Sequence, residues 1–350
     1  MTTLFQPLKL GALTLPNRII MAPLTRSRAT GDRIPNELMA EYYVQRATAG
    51  LILTEATSVD PMGVGYANTP GIWSQEQVKG WKNITSQVHA KGGRMFLQLW
   101  HVGRISDPMF LDGKQPVSAS AIAAEGHVSL VRPEKNYVTP RALETSELPA
   151  IVEAYRLGAE NAKKAGFDGV EIHGANGYLL DQFLQDGTNK RTDQYGGPIE
   201  NRARLFLEVT DAVISVWGAD RVGVHIAPRG DAHTMSDSNP RATFTYLVQE
   251  LDKRKIAFIF AREYQAPDSL GPELKKVFKG AYIANEKFTK ESAETIIKEG
   301  NADAVSFGVP FISNPDLPHR FAEGAKLNET NFQTLYAEGA TGYTDYPALG

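Results

Sequence analysis

Short apolar runs recur along the chain, each followed by a stretch in which apolar residues return every three or four positions. The runs are Arg18–Thr25, Gly50–Thr57, Arg94–His101, Gly169–His173, Val222–Ala227, Ile256–Arg262, Ala281–Asn285 and Ala304–Gly308. Most are continuously apolar instead of alternating, the mark of strands buried on both faces of a parallel sheet. Between them, helices are expected over Glu37–Thr48, from Ser74 to about Lys91, from Ser146 to near Gly166, over Pro198–Val216, and over Thr289–Glu299. Two more should open at Asn239-Pro240 and Asn314-Pro315. Ser74-Gln-Glu-Gln77 is a capping box, and proline suits the first position of a helix. Leu8–Leu15, broken at Gly11-Ala12, reads as a hairpin before the main fold. Residues 102–145 lack periodicity and form a long insertion after strand three, with a small hairpin in it. The tail from Ala325 is irregular.

Strand and helix thus alternate about eight times, which points to an α/β fold. No strand-to-helix turn carries the glycine fingerprint of a dinucleotide-binding sheet. A closed (β/α)8 TIM barrel, with an N-terminal hairpin and a long insertion after strand three, accounts for the pattern. One domain spans 1–350.

Composition narrows the classes. A net charge of −3 gives no footprint for nucleic acid or an anionic membrane. No apolar run approaches the roughly 20 residues of a membrane span, and the N-terminus lacks the pattern of a signal peptide. The absence of cysteine removes disulfides, thiolate zinc sites and cysteine-held iron–sulfur clusters. A cytoplasmic protein, monomer or dimer, with a small-molecule partner is expected.

Barrel chemistry gathers at the C-terminal ends of the strands. Here these supply Pro23, Leu24, Thr25, Ala56, Thr57, Gln98, Trp100, His101, His173, Asn176, His225, Arg262, Asn285 and Gly308. The set is polar, mostly uncharged and flanked by aromatics, which suits a large planar ligand with amide-like edges. No nucleophile elbow or reactive cysteine is present. Gly169–Phe183 stands out: His173 and Asn176 can donate hydrogen bonds and Tyr178 carries a transferable proton, as a carbonyl gaining negative charge requires. His101, His173 and His225 also end three successive strands, so a zinc-dependent hydrolase is an alternative.

The motifs Met21-Ala-Pro-Leu-Thr-Arg26, Gln98-Leu-Trp-His-Val-Gly-Arg104, His173-Gly-Ala-Asn-Gly-Tyr178, Arg191-Thr-Asp-Gln-Tyr-Gly-Gly197, Glu200-Asn-Arg202, Asn314-Pro-Asp-Leu317 and Gly342-Tyr-Thr-Asp-Tyr346 occur in this order. Through them the chain resembles the Old Yellow Enzyme family of flavin-dependent ene-reductases, particularly the bacterial N-ethylmaleimide and nitrate-ester reductases. The resemblance implies non-covalent FMN across the barrel mouth, NAD(P)H as electron donor, and an activated alkene or nitro compound as substrate. It implies Pro23, Leu24 and Thr25 along the flavin ring, Ala56 and Gln98 at its pyrimidine edge, and Asn285 near the cofactor. His173 and Asn176 would hold the substrate oxygen and Tyr178 would donate the proton, with Tyr66, Trp100 and Tyr343 shaping the pocket. No metal is implied.

Two positions depart from the family pattern. Strand five usually supplies an arginine facing flavin N1 and O2, where this chain has His225. An arginine that grips the phosphate usually follows the strand-eight glycine, where this chain has Gly308-Val309. Loss of a charge-assisted bond costs about 1.5–3 kcal/mol. Arg229, Arg262 and Lys287 are candidate replacements. A barrel that binds FMN poorly and acts as a weak ligand binder is the other alternative.

Overall fold

The computed structural model describes residues 3–349. Eight strands close into a barrel: β1 (Ile19–Met21), β2 (Leu51–Leu53), β3 (Met95–Trp100), β4 (Gly169–His173), β5 (Val222–Ile226), β6 (Phe258–Arg262), β7 (Ala281–Asn285) and β8 (Ala304–Phe307). Every neighbouring pair is parallel, and β8 returns to β1 with Phe307 opposite Met21. One principal helix follows each strand: α1 (Glu37–Gln45), α2 (Gln75–Ala90), α3 (Leu148–Lys164), α4 (Arg204–Trp217), α5 (Pro240–Lys253), α6 (Gly271–Val277), α7 (Lys290–Lys298) and α8 (Leu317–Glu323). Side chains of Asn36, Ser74, Asn239 and Thr289 cap α1, α2, α5 and α7. Among the described residues no helix is long and apolar enough to cross a membrane.

The local differences from the sequence pattern have local causes. Helix α6 has no counterpart in the periodicity because it has only seven residues and opens with Gly271-Pro272. The expected helix over Pro198–Val216 breaks at Ala203 into Ile199–Arg202 and α4. Asn314-Pro315 lies between a short helix, Val309–Ser313, and α8, and does not open a helix itself. The second run leaves the sheet after Leu53 and rejoins it at Thr57–Ser58, beside Leu99 and Trp100. Within the insertion, Val117–Ser118 and Arg141–Ala142 pair in parallel. The expected hairpin reduces to one antiparallel bridge between His127 and Asn136.

Alternation along the strands sorts side chains into two compartments. Ile20, Leu51, Leu53, Phe96, Phe258, Phe260 and Ile283 fill the barrel, and Leu8, Leu10 and Leu15 of the N-terminal hairpin join them from below. Leu97, Leu99, Val170, Ile172, Val224, Ile226, Ala261, Ala284, Val305 and Phe307 face the helices. The intervening residues near the strand ends therefore point into the top of the barrel. These are Gln98 and Trp100, Glu171 and His173, His225, Arg262, Asn285 and Ser306. The hairpin fits under the barrel because Gly11, at φ +52°, meets the carbonyl of Asp220 where any Cβ would lie only 2.0 Å away. The tail has little regular structure, yet it is tied down: Arg26 donates to the carbonyls of Leu335 and Gly342, and Arg28 to those of Thr334 and Leu335.

Candidate active site

The chain leaves β4 at His173 and turns at once to Tyr178, the residue that precedes the helix Leu179–Leu184. Gly174 allows this exit, since a Cβ there would lie 2.0 Å from the ring of Phe206 on α4. Asn176 and Gly177 both take positive φ, +58° and +77°. Asp181 accepts the Gly177 N–H at 2.9 Å, and Gln182 donates to the Gly177 carbonyl at 2.7 Å. This turn brings His173, Asn176 and Tyr178 to one side of the mouth.

Aromatic contacts hold the group together. The His173 ring stacks on His225 at 4.7 Å and meets the edge of Tyr178 at 5.0 Å. Trp100 lies 5.1 Å from Tyr178 and 5.4 Å from Tyr66, centroid to centroid. The two phenol oxygens, of Tyr66 and Tyr178, are 2.9 Å apart. Below them Gln98 donates through Nε2 to Glu171 Oε2 at 2.7 Å and to His225 Nδ1 at 3.2 Å.

Burial sets the protonation states. His173 falls to about 3, chiefly by desolvation, with Arg262 and His233 adding to the effect. Burial also holds His225 well below its ordinary value, helped by His173 and Arg262. Both imidazoles are therefore neutral, and β5 contributes no positive charge. Desolvation lifts Glu171 to about 8, against the opposing hydrogen bond from Gln98. It also raises Tyr178 above the ordinary phenol range, so this hydroxyl keeps its proton.

Asn176 is held at both ends. His233 Nδ1 donates to its backbone carbonyl at 2.7 Å, and Arg262 Nη1 donates to Oδ1 at 3.0 Å. With Oδ1 occupied, the amide NH2 is the group left to donate. Asn176 also lines a cavity of about 260 Å³ with Ala227, Arg229, Arg262, Tyr264 and Glu286 among its walls. His173 is more enclosed, at 4% exposure, and Trp100 more so, at 1%.

The other sequence candidates distribute unevenly. Pro23, Leu24 and Thr25 stand half-buried after β1, and Ala56 is buried after β2. Gly308 sits against Leu24, whose Cδ2 would be 3.3 Å from a Cβ at that position. Asn285 donates to the Ser306 carbonyl at 3.2 Å, linking the tops of β7 and β8. Val309 is 39% exposed. Tyr343 does not join the cluster. Its ring is fully buried, stacks on Tyr42 at 4.1 Å and lies under Arg26 and Arg28, so it packs against α1 and the tail arginines instead of walling the pocket.

The zinc reading fails on alternation. His173 and His225 point into the barrel, but His101 follows inward-facing Trp100 and turns outward, against Gly63 and into a cavity beside Ala150 and Ala154 of α3. No group of three or more potential metal ligands occurs among the described residues.

Sequence reading missed His233 and Glu286; it placed Arg262 among the strand ends and as a candidate cofactor cation, but not as a partner of Asn176. His233 lies in an irregular segment after β5 at φ +57°, where no periodicity marks it.

Comparison with known proteins agrees with this geometry. The sequence profile of the NADH:flavin oxidoreductase / NADH oxidase family matches residues 3–328. A putative 12-oxophytodienoate reductase 11 of Oryza sativa subsp. japonica is 43% identical over 364 residues, covering 99% of this chain and 97% of the relative. Morphinone reductase, solved in complex with tetrahydroNAD, superposes with a TM-score of 0.97 at 50% identity, covering 100% of this chain and 98% of the other. The Old Yellow Enzyme homologue of Zymomonas mobilis gives a TM-score of 0.97 at 46% identity, with 99% and 100% covered.

The top of the barrel fits the ring of a flavin. Trp100 Nε1, His173 Nδ1, His225 Nε2 and Ser306 Oγ are buried polar atoms without a protein partner. Unpartnered buried atoms occur elsewhere in the chain as well, but the convergence of these four at the top of the barrel fits a planar ligand with polar edges. Thr25, Ala56 and Gln98 would hold that ring from β1, β2 and β3. The phosphate end fits less well, since Val309 brings no charge there. The chain belongs to the NADH:flavin oxidoreductase / NADH oxidase family, as an alkene reductase of the Old Yellow Enzyme type whose cofactor is FMN and whose electrons come from NAD(P)H.

Proposed function

We propose that this chain, acting as one barrel unit over residues 1–350 in the cytoplasm, reduces alkenes conjugated to a carbonyl, imide or nitro group. NAD(P)H and the alkene use the same mouth in turn. A flavin held at the top of the barrel would supply the hydride chemistry that no side chain can provide. The residues do the rest. Neutral His173 and the Asn176 NH2 donate to the substrate oxygen, where negative charge grows as the β-carbon is reduced. Preorganised donors act most strongly in a site sheltered from water, and both residues are already fixed by their neighbours.

Tyr178 delivers the proton to the α-carbon. Tyr66 supports that transfer, because its hydroxyl can donate to the phenolate oxygen left behind. Trp100 and Tyr66 provide the apolar wall along which a planar substrate lies.

The observation that carries this reading is the convergence, on one turn after β4, of two uncharged donors and a protonated phenol. It is tested by stopped-flow measurement of the two half-reactions. The purified protein is expected to show a flavin band that NADPH bleaches and an added enone or maleimide restores. A protein that NADPH bleaches but no activated alkene reoxidises would overturn the substrate assignment. A colourless protein that takes up no flavin would overturn the whole reading.

A further inference from the structure

The loops after β7 and β8 are where a barrel ordinarily holds a phosphate. In this chain they carry Glu286 and Lys287 after Asn285, and Val309 after Gly308. A dianionic group placed there would meet a carboxylate and an isopropyl side chain. Of the nearby cations, the two arginines are already engaged, and Lys287 keeps an exposed ammonium without a carboxylate partner among the described residues. Arg229 binds Glu263 at 2.6 Å, Asp268 at 2.7 Å and the Tyr264 carbonyl at 2.6 Å. Arg262 lies between Asn176 Oδ1 at 3.0 Å and Glu286 at 3.4 Å. Lys287 is exposed and leans over the ring of Tyr264, with its ammonium 5.0 Å from the centroid. Val309 opens a helix of only five residues, Val309–Ser313.

The ring end has the opposite character, with four unpartnered buried polar atoms, on Trp100, His173, His225 and Ser306. We infer that this chain selects its flavin by the ring and not by the phosphate, so that riboflavin, with its uncharged ribityl tail, competes with FMN on nearly equal terms. This inference rests on the flavin reading above. It makes Glu286 and Val309 the residues that set cofactor-tail specificity. Glu286 acts twice, by presenting negative charge and by pairing with the Arg262 guanidinium at 3.4 Å. A phosphate gripped by two arginines would discriminate by several orders of magnitude, because each charge-assisted bond contributes on its own.

The test is a competition. Full-length protein is equilibrated with an equimolar excess of riboflavin and FMN and separated from free flavin. The bound flavins are then released by denaturation and quantified by chromatography. Recovery of the two within about fivefold of each other is expected. Recovery of FMN in more than 100-fold excess would overturn the inference while leaving the ene-reductase reading intact. The doubly substituted Glu286→Gln, Val309→Arg protein is expected to shift recovery toward FMN by at least tenfold, with its affinity for riboflavin changed less than threefold. Both positions are outside the barrel core, so folding is retained, and a circular dichroism melt verifies it. An unshifted ratio in the folded variant would show that the tail lies elsewhere, and overturns the assignment of these two residues. If neither flavin is retained, the flavin reading and this inference fall together.

Discussion

The two sides of the barrel mouth are built on opposite plans. Beside β4, neutral groups converge: His173, Asn176, Tyr178, Tyr66 and Trp100 lie within ring-contact distance or one hydrogen bond of a neighbour. At the end of β6 and in the loops after β5, β6 and β7, charges cancel in pairs, Arg262 against Glu286 and Arg229 against Glu263 and Asp268. The first side keeps donors unspent for a ligand. The second spends its arginines on the protein. A barrel can therefore retain the chemistry of one edge of its mouth while the grip of the other is dismantled, because each strand end contributes its residues separately.

The comparison breaks most sharply if the donors are removed. His173→Ala together with Asn176→Ala is expected to slow alkene reduction by 10³-fold or more, since one lost donor of this kind typically costs about 3–4 kcal/mol. Flavin reduction by NADPH is expected to change less than tenfold. Single-turnover rates for the two half-reactions measure the difference, and equal slowing of both would refute the donor role. Tyr178→Phe comes next, with a loss of about 10²-fold confined to the alkene step. The loss will be smaller for nitroalkenes, because hydride addition to them gives a nitronate anion stable enough not to need a proton in the same step.

Legibility followed the same division. The eight runs and their parallel pairing could be read from the sequence because continuous apolar strands leave a strong pattern. His173, Asn176 and Tyr178 could be read because one short turn joins them. The linkage of Asn176 to Arg262 spans 86 residues, and that of Asn176 to His233 spans 57, so no local spacing announces either. Tyr343 misled for a related reason. Its motif is clear, but its position depends on stacking with Tyr42 and on arginines from the opposite end of the chain.

A smaller effect sharpens the contrast at the point where the two sides meet. Arg262 takes Oδ1 of Asn176, which leaves the NH2 as the end of the amide free to donate. Arg262→Ala frees the amide to rotate and is expected to lower the alkene step about tenfold, the cost of one modest hydrogen bond. Arg262→Lys restores most of the rate if orientation alone is at stake. A variant Arg262→Ala that reduces alkene at the unaltered rate would show that Asn176 needs no such support.

The smallest expected effect is the response to pH. His173 titrates near 3, so its donor capacity does not change across the neutral range, and the alkene step should be flat from about pH 5 to pH 7. Glu171, one layer lower and near 8, is the group placed to bend the profile above that range, through Gln98 and His225. Its sign can be worked out. The folded-state value is raised above the ordinary 4.5, so the native protein holds a proton that the unfolded chain releases. Its stabilising contribution is complete below about 4.5 and is lost as pH climbs toward 8, at a slope of at most about 1.4 kcal/mol per pH unit. Glu171→Gln keeps the shape and removes the proton. In that variant the bend near 8 should vanish from the rate profile, and the melting temperature should fall less between pH 5 and pH 8. A bend that persists in Glu171→Gln would place the titrating group elsewhere, and a bend between pH 5 and pH 7 in the parent enzyme would mean that His173 is not the neutral donor its burial implies.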